Sequence, residues 1–199
     1  MLVGEHIKLR PVEESDLTLL VEWRNNPAIW ASFFNKFPLS HTGQRGWYKA
    51  VSEDRSRLFL MIQALDSKEA IGTIGFDRID PVNQVAEYGN ALIALERFKG
   101  KGLAREATML LLEYGFARLN LNRIFLHVLV DNEPATRLYR RCGFREEGQL
   151  RQAFYDAGTF KDIMVMGLLK SEYLEQIKAI KKAVPATELR RETPLHFLT

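Results

Sequence analysis

Three stretches of this sequence carry residue types that can do chemistry. In "RFKGKGLAREA", residues 97–107, Gly100 and Gly102 stand among Arg97, Lys99, Lys101 and Arg105 and run directly into helix-forming sequence. Glycine loses more entropy on folding than any other residue and is a poor helix former. Two glycines at a helix start therefore point to something that approaches the backbone closely. Amides in a helix's first turn lack intrahelical acceptors, and the dipole adds about half a positive charge there. Without side chains in the way an anion reaches those amides, and the basic residues draw it in, so the stretch predicts a phosphate cradle. A Walker loop needs a longer glycine spacing and a Lys-Ser/Thr pair. A dinucleotide fingerprint needs another spacing and an acid ending the next strand. The other two stretches place a titratable group inside apolar sequence: Glu87 in "VAEYGNA" and His127 in "IFLHVLV". Strand alternation can turn Glu87 into a cleft, and histidine titrates near neutral pH. Either can accept a proton; the competing readings are a surface glutamate paired with a lysine and a satisfied core histidine.

The elements that must position these groups follow from hydrophobic periodicity. "EHIKLRPV" reads as a strand stopped by Pro11, Ser15 or Asp16 caps a helix reaching Asn26 before Pro27, and a second short helix starts near Ser40. "RLFLMIQAL" and "AIGTIGFDRI" pair around the turn "DSKE", and "VAEYGNALIAL" is the next strand. A helix over 103–119 puts Leu103, Ala107, Leu110, Leu111 and Tyr114 on one face. "NRIFLHVLV" is a buried strand, and "DNEPATRLYRRCGF" is a helix with Pro134 in its first turn and Gly143 at its stop. Strands near 144–155 and 160–168 complete an α+β sandwich with a mixed sheet of about seven strands and about four helices. Beyond Leu169 the texture turns charged and then polar, so the expected organisation is a domain over 1–170 and a C-terminal helix with a loose tail over 171–199.

The bulk numbers exclude several classes. The chain has 199 residues, of which 46% are hydrophobic, which suits a single core. A net charge of +3 and a pI of about 9.0 are too mild to argue for nucleic acid and are compatible with an anionic small ligand. The single cysteine, Cys142, permits no intrachain disulfide and fits a reducing cytoplasm. "MLVGEHIKLR" lacks signal-peptide architecture, and no apolar run approaches the roughly 18–20 residues of a membrane span. His6, His41, His127 and His196 are scattered, so no metal is expected.

Arg97-Phe98-Lys99-Gly100-Lys101-Gly102 resembles the (Gln/Arg)-x-x-Gly-x-(Gly/Ala) signature of the GNAT N-acetyltransferase superfamily. Further along, Asn132, Ala135, Leu138-Tyr139 and Gly143-Phe144 match the series that closes the acetyl-CoA half of that fold. The resemblance covers residues 1 to about 170. "WRN" at 23–25, "AEYG" at 86–89 and "GQLRQAFYDAGTFKDIMVMGLL" at 148–169 are similar to the branch of ribosomal-protein-alanine and nucleotide-amino-sugar N-acetyltransferases. The resemblance implies a sheet splayed between its fourth and fifth strands, with the pantetheine arm of acetyl-CoA in the gap. Ala91, Leu92 and Ile93 would bond to that arm from one side, with Asn132 and Ala135 on the other. The pyrophosphate would sit over Arg97, Phe98, Lys99, Gly100, Lys101, Gly102, Leu103 and Ala104. The segment Asn90–Glu96 departs from the pattern: it is longer and lacks a proline often found there.

Acetyl transfer to an amine requires a neutral nucleophile, stabilised charge on the carbonyl oxygen and a proton for the departing thiolate. On the resemblance, Tyr139 holds its hydroxyl near the sulfur as the acid, against packing as the plainer role. Glu87 and His127 are both candidates for the base. Cys142, at a helix end whose dipole opposes a thiolate, reads as a packed residue. Arg24, Trp30, Phe33, Phe34 and Trp47 fall where the family walls its acceptor pocket, and Tyr155, Asp156 and Asp162 fall in the last hairpin. The implied activity is direct acetyl transfer to a primary amine: a protein N-terminus, a nucleotide-linked amino sugar or another small amine, with a homodimer as one arrangement. The reading from a different class is a non-catalytic acyl-CoA sensor on the same fold, which would bind CoA and turn over no amine.

Overall fold

A computed structural model describes residues 1–30 and 34–183. Among them an eight-stranded sheet runs in the order β1-β2-β3-β4-β5-β6-β8-β7. The strands are β1 (Leu2–Val3), β2 (Ile7–Pro11), β3 (Leu58–Ala64), β4 (Ala70–Asp80), β5 (Val85–Ile93), β6 (Arg123–Leu129), β7 (Arg145–Asp156) and β8 (Thr159–Leu169). Helices α1 (Leu17–Asn25), α2 (Pro27–Trp30) and α3 (His41–Glu53) precede β3, α4 (Leu103–Ala117) and α5 (Glu133–Arg141) flank β6, and α6 (Lys170–Ala183) follows β8. The sequence reading of an α+β fold with a mixed sheet holds. The additions are the two-residue β1 and the one-turn α2, both too short for a periodic signal.

The sheet is covered on both faces. Phe76, Tyr88, Ile124 and Leu126 meet Leu111 and Phe116 of α4 in one core, to which α6 adds Tyr173 and Ile177. Met61 and Ala94 meet Leu17, Leu20 and Trp23 of α1 in the other. Central β4 is accordingly buried without interruption from Ile71 to Phe76, whereas β6 alternates. Ile124, Leu126 and Val128 point to the α4 side, so Phe125 and His127 point to the other.

The start of α1 differs from the sequence expectation. Asp16 stands at the N-cap position of α1 but its side chain makes no capping bond there; Glu14–Asp16 form a 3-10 turn that leads into the helix. Buried Asp16 instead accepts from Arg10 Nη1 and Nη2 at 2.7 and 2.8 Å and from the Glu13 amide at 2.8 Å. Burial alone would push this carboxyl up; the Arg10 guanidinium and the Glu13 amide outweigh it and hold the group below its ordinary value. Asp16→Asn is expected to cost about 2 kcal/mol at pH 7 in urea unfolding, the scale of a hydrogen bond to a charged group. Because the folded value is depressed, this stabilisation is complete above the unfolded value of 3.8 and is lost as pH falls through the lower folded value, so wild type and variant should converge there.

Candidate active site

Among the described residues β5 and β6 form the one parallel pair of the sheet, with register pairs Val85–Arg123, Ala86–Ile124 and Glu87–Phe125. Beyond Glu87 they part. β5 bends as it goes, because one residue of β4, Ile74, lies between pairs spanned on β5 by two, Asn90 and Ala91. Asn90 takes the left-handed conformation (φ 55°), its carbonyl accepts from Thr73 Oγ1 at 2.7 Å, and its side chain donates to Asp77 Oδ2 at 2.7 Å. Such a bulge absorbs an extra residue and bends the strand, which accounts for the long Asn90–Glu96 segment. The parting opens a cleft of about 600 Å³.

Glu87, His127 and Tyr139 all line this cleft. Glu87 lies between buried Ala86 and Tyr88, so it shares with His127 the face turned away from α4. His127 Nδ1 is 2.6 Å from Glu87 Oε1, and Arg78 Nη2 bonds the other carboxylate oxygen. A carboxylate only accepts, so Nδ1 carries the hydrogen, and in the neutral imidazole Nε2 keeps its lone pair. The two candidates for one role are thus a hydrogen-bonded pair, and Arg78 is a member that the sequence reading missed.

Tyr139 shares a stripe of α5 with Ala135 and Asn132, both on the cleft wall. Its ring packs edge-on against Tyr88 at 5.6 Å, and burial, followed by neighbouring Cys142, pushes its hydroxyl up to about 12. Tyr88 hydrogen-bonds Thr108 at 2.9 Å inside the core. Asn132 does more than line the cleft: its side chain accepts from the Ala135 amide at 3.3 Å and caps α5. Cys142 is fully buried, and burial pushes its thiol up to about 11, which leaves it unsuited to covalent catalysis.

The glycine stretch enters α4 as anticipated. Gly100 and Gly102 have φ of 72° and 80°, and a Cβ at either would meet nothing within 4 Å. The conformation demands glycine and the space outside is open, so a phosphate can reach the amides. The basic side chains are less uniform than expected. Arg97 pairs with Glu69, Lys99 pairs with Glu96 at 2.8 Å, and Lys101 lies 5.7 Å from the Phe98 ring. Of the three β5 residues expected to bond the arm, Ala91 lines the cleft. Leu92 pairs with Thr73, and the Ala94 amide donates to Ile71. Antiparallel alternation then turns the peptide groups of Ile93, between them, to the open edge.

A second cavity of about 390 Å³ lies on the same face, between α1, α3 and the sheet. Arg24 and Trp47 line it, whereas Phe34 lines the main cleft against Phe154, with ring centroids 5.2 Å apart. Phe33 and the Trp30 side chain lie outside the described residues. Tyr155 is exposed, Asp162 accepts from the Gln152 amide, and Asp156 closes a hairpin through Ala157 and Gly158, both at positive φ. Among the described residues no cluster suits a metal ion, and no helix is long and apolar enough to cross a membrane.

Residues 6–145 match the model of the acetyltransferase (GNAT) domain. Spermidine N(1)-acetyltransferase of Vibrio cholerae serotype O1 is 33% identical over 175 residues, covering 87% of this chain and 99% of that protein. The crystal structure of spermidine N-acetyltransferase from Vibrio cholerae in complex with CoA and spermine superposes with a TM-score of 0.78 at 32% identity, covering 85% of this chain and 98% of that one. Ribosomal-protein-serine acetyltransferase of Escherichia coli strain K12 is 26% identical over 168 residues, covering 81% of this chain and 91% of that protein.

Proposed function

Because the chain belongs to the GNAT family and is an N-acetyltransferase that uses acetyl-CoA, we propose that it acetylates a small primary amine directly, with His127 as the base. The observation that carries this reading is the 2.6 Å contact between His127 Nδ1 and Glu87 inside the cleft that Tyr139 also lines. Acetyl-CoA supplies an activated acyl group; the chain's residues position it and move protons. The amine nitrogen bonds to the acyl carbon as the carbon–sulfur bond breaks. Nε2 of His127 receives the ammonium proton that must leave before attack, since a free alkyl amine near pKa 10.4 is mostly charged at pH 7. Glu87, held by Arg78, orients the imidazole. Tyr139 faces the departing sulfur. Backbone of Ile93 and Ala91, with Asn132 and Ala135 opposite, holds the arm. The amides from Phe98 to Ala104 hold the pyrophosphate, with Arg97 at the margin through its pair with Glu69.

CoA release measured against a panel of amines tests the reading: turnover of at least one amine is expected, and CoA binding without turnover of any would restore the sensor. Gly102→Val tests the phosphate cradle. A β-branched residue at φ 80° distorts the turn that aims the amides, so CoA affinity by calorimetry should fall about tenfold, the worth of one charge-assisted hydrogen bond. The polyamine acceptor of the spermidine acetyltransferases does not transfer readily to this chain: between Glu22 and Glu53, where α1 and α3 wall the acceptor side, there is no Asp or Glu.

A further inference from the structure

The cleft that holds His127 has a further wall that proton transfer does not use. Leu129 of β6 pairs with Ile163 of β8, and Ile163 pairs with Leu150 of β7. Cross-strand partners and residues two apart share a face, so Leu129, Ile163 and Leu150 lie on the face to which His127 points. Leu150 is two strand spacings over and two residues along, about 12 Å from His127 between backbones. Past Leu150 the edge strand β7 bulges: it takes four residues to reach Phe154, where β8 takes two from Ile163 to Lys161. Gln152 inside the bulge has a φ of 52°, and Asp162 pins the segment by accepting from the Gln152 amide at 2.7 Å and from Gln149 Nε2. Leu150, Ala153 and Phe154 thereby line the cleft together with Phe34, whose ring centroid is 5.2 Å from that of Phe154. Phe34 and Leu150 remain 43% and 45% exposed, so the wall is only half-covered, as apolar side chains in a binding groove are. The charges near it are matched. Asp77 and Glu87, the carboxylates among the described lining residues, are held by Arg57 and Arg78, and no Lys or Arg is among them. Asp156, two residues past Phe154, is paired with Lys36 and Lys161 at 3.6 and 3.7 Å, and the Lys36 ammonium stands 5.8 Å from the Phe154 centroid.

We propose that this wall selects the acceptor: a small primary amine with a bulky apolar substituent, an aromatic ring above all, whose nitrogen reaches His127 while the ring packs on Leu150, Ala153, Phe154 and Phe34. The inference rests on the transfer reading above and names the class of amine. A ring placed there removes its own surface and that of the half-covered side chains from water, and it can pair edge-on or offset with the two phenylalanines. An ethyl group falls short of the wall. A polyamine would carry its second ammonium onto apolar side chains, a charge taken out of water with no unmatched carboxylate among the described lining residues to meet it.

The test uses the full chain with 2-phenylethylamine, ethylamine, 1,4-diaminobutane and spermidine. Turnover is read as CoA release from acetyl-CoA, and acceptor binding by calorimetry with CoA present. 2-Phenylethylamine should exceed each of the other amines by about 10–100-fold in kcat/KM, the worth of burying one aromatic side chain. Leu150→Asp should collapse that lead through KM and raise kcat/KM for 1,4-diaminobutane, while CoA affinity reports an intact fold. Phe154→Ala should collapse the lead in the same way, and it serves should the first variant not fold. Equal handling of 2-phenylethylamine and ethylamine, a preference for either polycationic amine, or a lead that survives both variants overturns the inference. Turnover of ethylamine or spermidine without that lead leaves the transfer reading standing. Binding of 2-phenylethylamine that Leu150→Asp weakens, with no amine acetylated, would keep the wall and remove the transfer reading.

Discussion

Glutamine in place of His127 should lower kcat by about 10²–10⁴-fold, the range assigned to a positioned acid or base. The side chain is 25% exposed on β6, so the change should leave folding and CoA affinity close to wild type. Glu87→Gln should behave differently, since it keeps the imidazole and loses only its carboxylate partner. It should cost about 10–100-fold. A Glu87→Gln loss larger than that of His127→Gln would reverse the two roles and make the carboxylate the base.

Tyr139→Phe should reduce kcat by about 10–100-fold with CoA affinity retained. The smaller range follows from magnitudes. Burial holds the hydroxyl up at about 12, whereas an ordinary thiol titrates near 8.5. Complete transfer of its proton to a thiolate is therefore uphill, and in the proposed role the hydroxyl would contribute mainly a hydrogen bond to a developing charge, worth about 1.5–3 kcal/mol. The phenyl ring keeps the edge contact with Tyr88, so thermal stability should change little. A loss beyond about 10³-fold would show full acid catalysis in spite of that difference, and an unchanged rate would reduce Tyr139 to packing.

Much of the site was legible because local patterns set it. Two glycines before a helix need no tertiary information to read, and both stand at positive φ. The parity of Glu87 and His127 was legible too, since each is flanked by residues that bury toward α4. Their contact was not, because it depends on where a three-residue parallel register begins and on how far the strands have diverged two residues later. Arg78 escaped notice for a similar reason: its positive φ of 51° turns it out of the β4 alternation and toward Glu87. Charges misled where they had close neighbours, as with Arg97 and Lys99, whose partners Glu69 and Glu96 lie on a distant turn and three residues back. The 3-10 entry to α1 was missed because a strong partner across the chain, Arg10, outcompetes the helix end for the Asp16 side chain.

The narrow seam between β5 and β6 also bears on rigidity. Among the described residues three backbone pairs stitch the two halves of the sheet together, α4 and its core bridge them on one face, and the Glu87–His127 contact spans them on the other. A carrier lying along the gap would add rungs where the strands have parted, so part of its binding energy would go into stiffening the protein rather than into affinity.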